Sequence, residues 1–258
     1  MLNTYTNYKL ITKDIDKSLD RVEDQPTVKR ETEYYLANIS KVKSIDDLMK
    51  DDRLYRYAMK AHGLEDMTYA KAFMKKVLKE GIDDNDSFAN KLSDKKYRDF
   101  AKTYDFVGFG ETATIFTRAQ QGTVDKYLRQ TLEEDAGKQN EGVRLALYFD
   151  RKAGGITSFY DVLADTALAK VVRTSLGLPD SFASADIDKQ VQLFESKLDI
   201  ADFSDPAKLS KFLTRFTSMW EVNNPTATPQ SLSSVLFSQP TTYGISTDVL
   251  FSIAQLRR

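Results

Sequence analysis

Laid over itself at an offset of 114 residues, the chain places like on like. Ser44-Ile45-Asp46-Asp47-Leu48-Met49 falls on Ser158-Phe159-Tyr160-Asp161-Val162-Leu163, and Gly63-Leu64 falls on Gly177-Leu178. Between these landmarks Leu54 aligns with Leu168, Tyr57 with Val171 and Ala58 with Val172. Each copy reads as the same helical unit. A serine stands where its hydroxyl can accept from the first free amides of a helix, and aspartates follow in the first turn. A second aspartate, Asp51 or Asp165, is placed to start another helix. Apolar residues then recur every three or four positions until a glycine, followed by leucine, closes the helix in the left-handed conformation. The repeated pattern predicts an all-α fold, an elongated or two-lobed helical bundle built from an internal duplication.

The chain has 258 residues, enough to bury a full core as one elongated domain or as two lobes. With 41% apolar and 29% charged residues it reads as a folded globular protein, and its formal charge of -1 offers no global attraction for nucleic acid or an anionic membrane. The absence of cysteine excludes disulfides, thiol catalysis and thiolate metal ligation. No run of eighteen apolar residues occurs, so no membrane-spanning helix is expected. The opening Met1-Leu2-Asn3-Thr4-Tyr5-Thr6-Asn7 has neither the basic nor the apolar part of a secretory signal. Cytoplasmic synthesis is the expectation, with export through a machine that cleaves no signal left open.

The remaining elements follow from periodicity. Tyr8, Ile11, Ile15, Leu19 and Val22 predict one amphipathic helix before Pro26, and Val28, Tyr34, Tyr35 and Ile39 predict the next. Tyr69, Phe73, Met74, Val77 and Leu78 mark a helix in the first copy, matched by Ile187, Val191, Phe194 and Leu198 in the second. Tyr97, Phe100 and Tyr104 mark another, matched by Leu209, Phe212, Leu213 and Phe216 behind the Asp205-Pro206 start. Val107-Gly108-Phe109-Gly110 reads as a flexible joint, with helix resuming from Glu111. From Val124 to Phe149 the pattern suggests one long helix, with a kink or a close helix contact near Gly137 and Gly142. The expected organisation is a first unit over residues 1–106, a long connecting helix and second unit over 107–222, and a C-terminal loop with short docking helices over 223–258.

Candidate chemistry is thin. His62, the only histidine, directly precedes the closing Gly63 and aligns with the apolar Leu176. A packed helix-end residue is favoured over a general base or metal ligand, since no second histidine or cysteine can join it. Asp83-Asp84-Asn85-Asp86 resembles a calcium loop but lacks the required glycine and closing glutamate, and reads as a solvated turn. Glu133-Glu134-Asp135 is expected to face water. Gly108-Phe109-Gly110 is too short for a nucleotide cradle, and Gly154-Gly155 reads as a helix end. Lys71, Lys75, Lys76 and Lys79 form a basic helix face, expected to be solvated rather than to bind nucleic acid. No catalytic, cofactor-binding or metal-binding residue is assigned, and no cofactor is expected.

Three runs carry a family resemblance: Arg30-Glu31-Thr32-Glu33-Tyr34-Tyr35, then Ser44 through Asp51 with Ala61-His62-Gly63-Leu64, and in the second copy Ser158 through Asp165 with Leu176-Gly177-Leu178. With the terminal Asp248-Val249-Leu250-Phe251-Ser252-Ile253, the chain resembles a family of helical alphaproteobacterial proteins of unknown function encoded among flagellar genes, domain of unknown function number 1217. The resemblance runs from about Tyr8 to the end and transfers no site residue. It implies a non-enzymatic protein associated with flagellar assembly, structure or motility that acts by protein contact. Flagellar components or export substrates would be its partners, self-association is compatible, and a cytoplasmic chaperone or regulator of an export substrate is the alternative. The segment from Tyr8 to Val22 and the stretch from Asp248 are the expected contact surfaces.

Overall fold

The computed structural model describes residues 2–225, and among them the regular elements are all helical. The expected short helices after Pro225, including the stretch from Asp248, lie outside the described residues. The N-terminal periodicity resolves into two helices rather than one, α1 (Thr4–Thr12) and α2 (Ile15–Glu23). Asp14 causes the break, because its carboxylate accepts the Lys17 amide at 3.1 Å and starts a new helix. The two pieces bury different residues: Tyr8 joins one apolar cluster and Val22 another. The segment expected as a contact surface is therefore docked into the protein's own cores.

Pro26 stands at the first position of α3 (Pro26–Ile39), where its missing N–H costs no helical bond. The first capped unit then runs through α4 (Ile45–Lys50) and α5 (Asp52–Ala61). It continues through α6 (Lys71–Glu80), α7 (Phe88–Lys91), α8 (Lys95–Thr103) and α9 (Phe106–Phe109). The long helix suggested by the sequence is instead two, α10 (Gln121–Gln139) and α11 (Glu141–Lys152). They part at Asn140, whose side chain accepts the Gly142 amide at 2.9 Å and starts α11. The chain doubles back there, since Arg129 reaches the Leu147 carbonyl and Arg151 reaches Glu133 across the hairpin. Helix does not resume at Glu111 either. Residues 113–120 are turns, and α10 begins only at Gln121. The chain closes with α12 (Phe159–Ala164), α13 (Thr166–Leu176), α14 (Ile187–Lys197) and α15 (Pro206–Asn223).

The caps form where the two aligned stretches place them. Ser44 accepts the Asp47 amide at 3.1 Å and Ser158 accepts the Asp161 amide at 3.2 Å. Asp51 accepts from Arg53 and Leu54, and Asp165 accepts from Ala167 and Leu168. At the helix ends Leu64 N–H donates to the Met59 carbonyl and Leu178 N–H to the Arg173 carbonyl, each around a glycine with φ near +70°. A further equivalence appears only in three dimensions. Tyr34 donates to Asp51 at 2.8 Å and Tyr148 donates to Asp165 at 2.5 Å, so each capping carboxylate is also tied to a tyrosine of the helix before its unit.

Two hydrophobic clusters result. The first gathers Tyr35, Ile39, Leu48, Leu54, Met59, Met74, Val77 and Phe100, and also Val124, Tyr127, Leu128 and Leu132 from the segment expected to connect the two units. The second gathers Tyr8, Val143, Phe149, Phe159, Val162, Val172, Phe194, Phe216 and Trp220. Trp220 lies so close to Gly142 that a Cβ there would meet Cδ1 of the indole at 2.3 Å.

Candidate functional site

Where the cores meet, the polar residues of the sequence come together. His62 is buried at the end of α5, its Nδ1 2.9 Å from the Ala58 carbonyl. A carbonyl only accepts, so Nδ1 carries the hydrogen and Nε2 is left as an acceptor. Nε2 lies 3.1 Å from the Lys126 ammonium and 3.0 Å from Thr103 Oγ1. Burial, and next the charge of Lys126, lower the imidazole pKa to about 3. His62 is thus a neutral acceptor holding a lysine, which is a structural use of the ring.

Glu133, expected at the surface, is only 2% exposed at its side chain. Arg151 clasps it with Nε and Nη2, both at 2.7 Å, and Arg129 approaches at 3.3 Å. The partner that buries it lies 18 residues on, across the α10–α11 hairpin, and no local pattern reveals it. Arg151 and Lys152 line two adjoining cavities, one of about 320 Å³ between α8 and α11–α12, the other of about 480 Å³ running toward Gly63 and Gln130.

The other residues weighed in the sequence have plain roles. Asp84 accepts the Asp86 amide in a tight turn. Lys71 pairs with Asp52, Lys75 with Asp46 and Lys76 with Glu80, so this basic face is largely neutralised at its own surface. Gly154 and Gly155 form a 3-10 turn. Among the described residues, no group of three or more histidine, aspartate or glutamate side chains is arranged to hold a metal ion.

The segment expected to be a flexible joint is held firmly and carries an exposed aromatic patch. Asp105 caps α9 through the Gly108 amide at 2.8 Å, and Gly110, with φ of +51°, turns the chain. Thr114 donates to the Val42 carbonyl at 2.7 Å, Tyr35 donates to the Ala119 carbonyl, and Thr123 donates to the Arg118 carbonyl. Tyr35 also bonds Tyr104 and stacks on Tyr57, deep in the first cluster. Burial raises the pKa of Tyr104 to about 12, keeping this network un-ionised. On that anchored backbone Val107, Phe109, Ile115 and Phe116 face solvent at 52%, 41%, 55% and 37% exposure, where such side chains are usually covered. Phe109 and Phe116 meet edge to face at 4.8 Å, and the Arg118 guanidinium lies 4.5 and 5.0 Å from their ring centres. The sequence signal was present in the closeness of Phe109, Phe116 and Arg118, but nothing local said that these rings would be left outside.

Among the described residues, fold and site together define a helical protein with two apolar clusters, a buried charged cluster and an exposed aromatic pair. By its match over residues 61–209, the chain belongs to the family described as protein of unknown function, DUF1217. It is similar to a protein from Agrobacterium tumefaciens whose X-ray crystal structure is known. The two share 58% identity over 86% of this chain and 94% of that chain, with a TM-score of 0.81. No curated protein matches the chain.

Proposed function

We propose that this chain is an internally duplicated, non-enzymatic helical protein that works by protein contact in flagellar assembly, structure or motility. The duplication is supported by α4 with α12 and α5 with α13, whose serine caps, aspartate caps, tyrosine bonds and Gly-Leu closures correspond at one constant offset. The flagellar setting rests on the resemblance to proteins encoded among flagellar genes. The mode of action rests on one observation above others, the exposed pair Phe109 and Phe116 against Arg118, on an anchored segment that also exposes Val107 and Ile115. Aromatic and arginine side chains dominate the energetics of contact surfaces, and the rings lose little entropy on docking. His62, engaged as an acceptor for Lys126, supports a non-catalytic reading.

The test is affinity capture of the native protein from motile cells, with assembled flagella and cytoplasm compared, and with Phe109→Ser and Phe116→Ser beside it. A flagellar partner that is retained by the wild type and lost by both variants, at unchanged thermal stability, is the expected result. Recovery of one unassembled export substrate from cytoplasm alone would point to the chaperone role. Capture of the same flagellar partner by both variants would remove the patch from the account.

A further inference from the structure

Arg118 departs from a pattern that two other ring-stacked arginines keep. Arg53 lies over the Tyr34 ring, 3.9 Å from its centre, and clasps Glu31 with Nε at 2.7 Å and Nη2 at 3.1 Å. Arg151 lies 5.1 Å from the centre of the Tyr148 ring and clasps Glu133 with the same two nitrogens, both at 2.7 Å. In each case the ring supports the flat guanidinium, and the side-on fork of two N–H groups takes a carboxylate. Arg118 has its rings, Phe109 and Phe116, but its Nε and Nη2 are screened from solvent and meet no acceptor among the described residues. The acids on either side in sequence are engaged elsewhere, Glu111 with Lys43 at 3.2 Å and Asp125 with Gln121 at 2.9 Å. A fork without a carboxylate is therefore set against two exposed rings, on backbone that Asp105 and Tyr35 anchor.

We propose that this face binds a segment of another protein in which an aspartate or glutamate is flanked by large apolar residues. The carboxylate enters the Arg118 fork, and its apolar neighbours pack on Phe109 and Phe116. This rests on the reading of the patch as a contact surface and adds the chemistry of what it contacts. Charge complementarity selects an acid, and the fork matches the two oxygens of a carboxylate, as Glu31 and Glu133 show within this protein. Because the two nitrogens are already out of contact with water, pairing them costs the arginine little further desolvation. Access needs one ring to turn, a rearrangement common at interfaces, and Phe109 and Phe116 are 41% and 37% exposed. Neither ring nor Arg118 lines the two cavities described above, so a segment that covers an open face fits better than a small free carboxylate.

The test pans a random peptide library displayed on phage against the full chain, with Arg118→Gln and Phe109→Ser in parallel. Wild type should enrich sequences that set an aspartate or glutamate between large apolar residues, and both variants should lose that enrichment. The best peptide is then synthesised with its acid and with the corresponding amide. On wild type the amide form should bind about tenfold or more weakly, and on Arg118→Gln the two forms should bind alike, which isolates the coupling between carboxylate and fork. Arg118→Lys, which keeps the charge without the fork, gives the same cycle should Arg118→Gln fold poorly. An equal loss on both proteins, enrichment of sequences without an acid, or no enrichment at all would overturn the proposal. Acid-free apolar peptides that fail on Phe109→Ser would leave the patch a contact surface and remove only its preference for a carboxylate. Peptides that bind Phe109→Ser as well as wild type would remove both readings. A concentration-dependent dimer in sedimentation, lost in Phe109→Ser, would give the face to a second copy of the chain and equally overturn the proposal.

Discussion

The Nδ1 hydrogen of His62 is committed to Ala58, and that one bond decides what the ring can do. Its pKa is 6.5 in an ordinary environment and about 3 in the fold, so between those values the unfolded chain holds the extra proton. Stability therefore rises with pH through that window and falls as pH drops from 6.5 toward 3, with a limiting slope of about 1.4 kcal/mol per unit from this residue. Denaturant melts across that window should show a shallower slope in His62→Leu. At neutral pH the same substitution should cost about 1–3 kcal/mol, because the Lys126 ammonium loses an acceptor, and adding Lys126→Met should restore most of it. Glu133→Gln should cost more, about 3–5 kcal/mol by thermal unfolding, since Arg151 loses its bidentate carboxylate and Arg129 keeps only the Asp150 carboxylate, at 3.6 Å. A cost under about 1 kcal/mol would mean that this ion cluster contributes little. Residue identities alone showed that His62 lacked catalytic company. They did not show Glu133 going inside, because burial depends on an arginine from another helix.

Single glycines separate local preference from packing at the scale of helices. Gly137 and Gly142 both sit inside helices, where alanine is preferred by about 1 kcal/mol. A Cβ on Gly137 would meet the flexible Arg144 Cδ at 2.7 Å, which can swing aside toward solvent. A Cβ on Gly142 would meet the rigid Trp220 ring at 2.3–2.6 Å. Gly137→Ala should accordingly be neutral or stabilising by up to about 1 kcal/mol, whereas Gly142→Ala should destabilise by about 1–3 kcal/mol. Chemical denaturation of the pair checks both signs. Asp51→Ala and Asp165→Ala should each lose about 1–3 kcal/mol, because each carboxylate caps a helix and also receives a tyrosine hydroxyl. These caps and the Gly-Leu closures were legible because they are local: a side chain meets amides two or three residues away. The break at Asp14 is equally local but is masked by apolar spacing that runs on through it. The reversal at Asn140 was hidden in the same way by unbroken helical periodicity.

The molecule as a whole sorts the same apolar residues into two clusters, and the boundary does not follow the repeat. Val124, Tyr127, Leu128 and Leu132 join the first cluster, while Tyr8 from the start of the chain joins the second. Thr4 bonds Glu221 at 2.5 Å and Asn140 bonds Thr4, so α1 links α15 to the hairpin turn. Removing residues 2–12 should therefore uncover the second cluster selectively. Hydrogen exchange should quicken in α11 and α15 before it does in α5 and α6, and uniform quickening would contradict the packing described. No helix among the described residues is long and apolar enough to cross a membrane. By itself the sequence determined the helical class, the caps, the glycine closures and the recurrence of one unit, since each depends on contacts within about one turn. Only the tertiary structure decided that Glu133 would be buried, that Lys126 would end on His62 and that Phe109 and Phe116 would remain outside. Those outcomes depend on which helices meet, and long-range burial energies set that choice without leaving a mark in the local pattern.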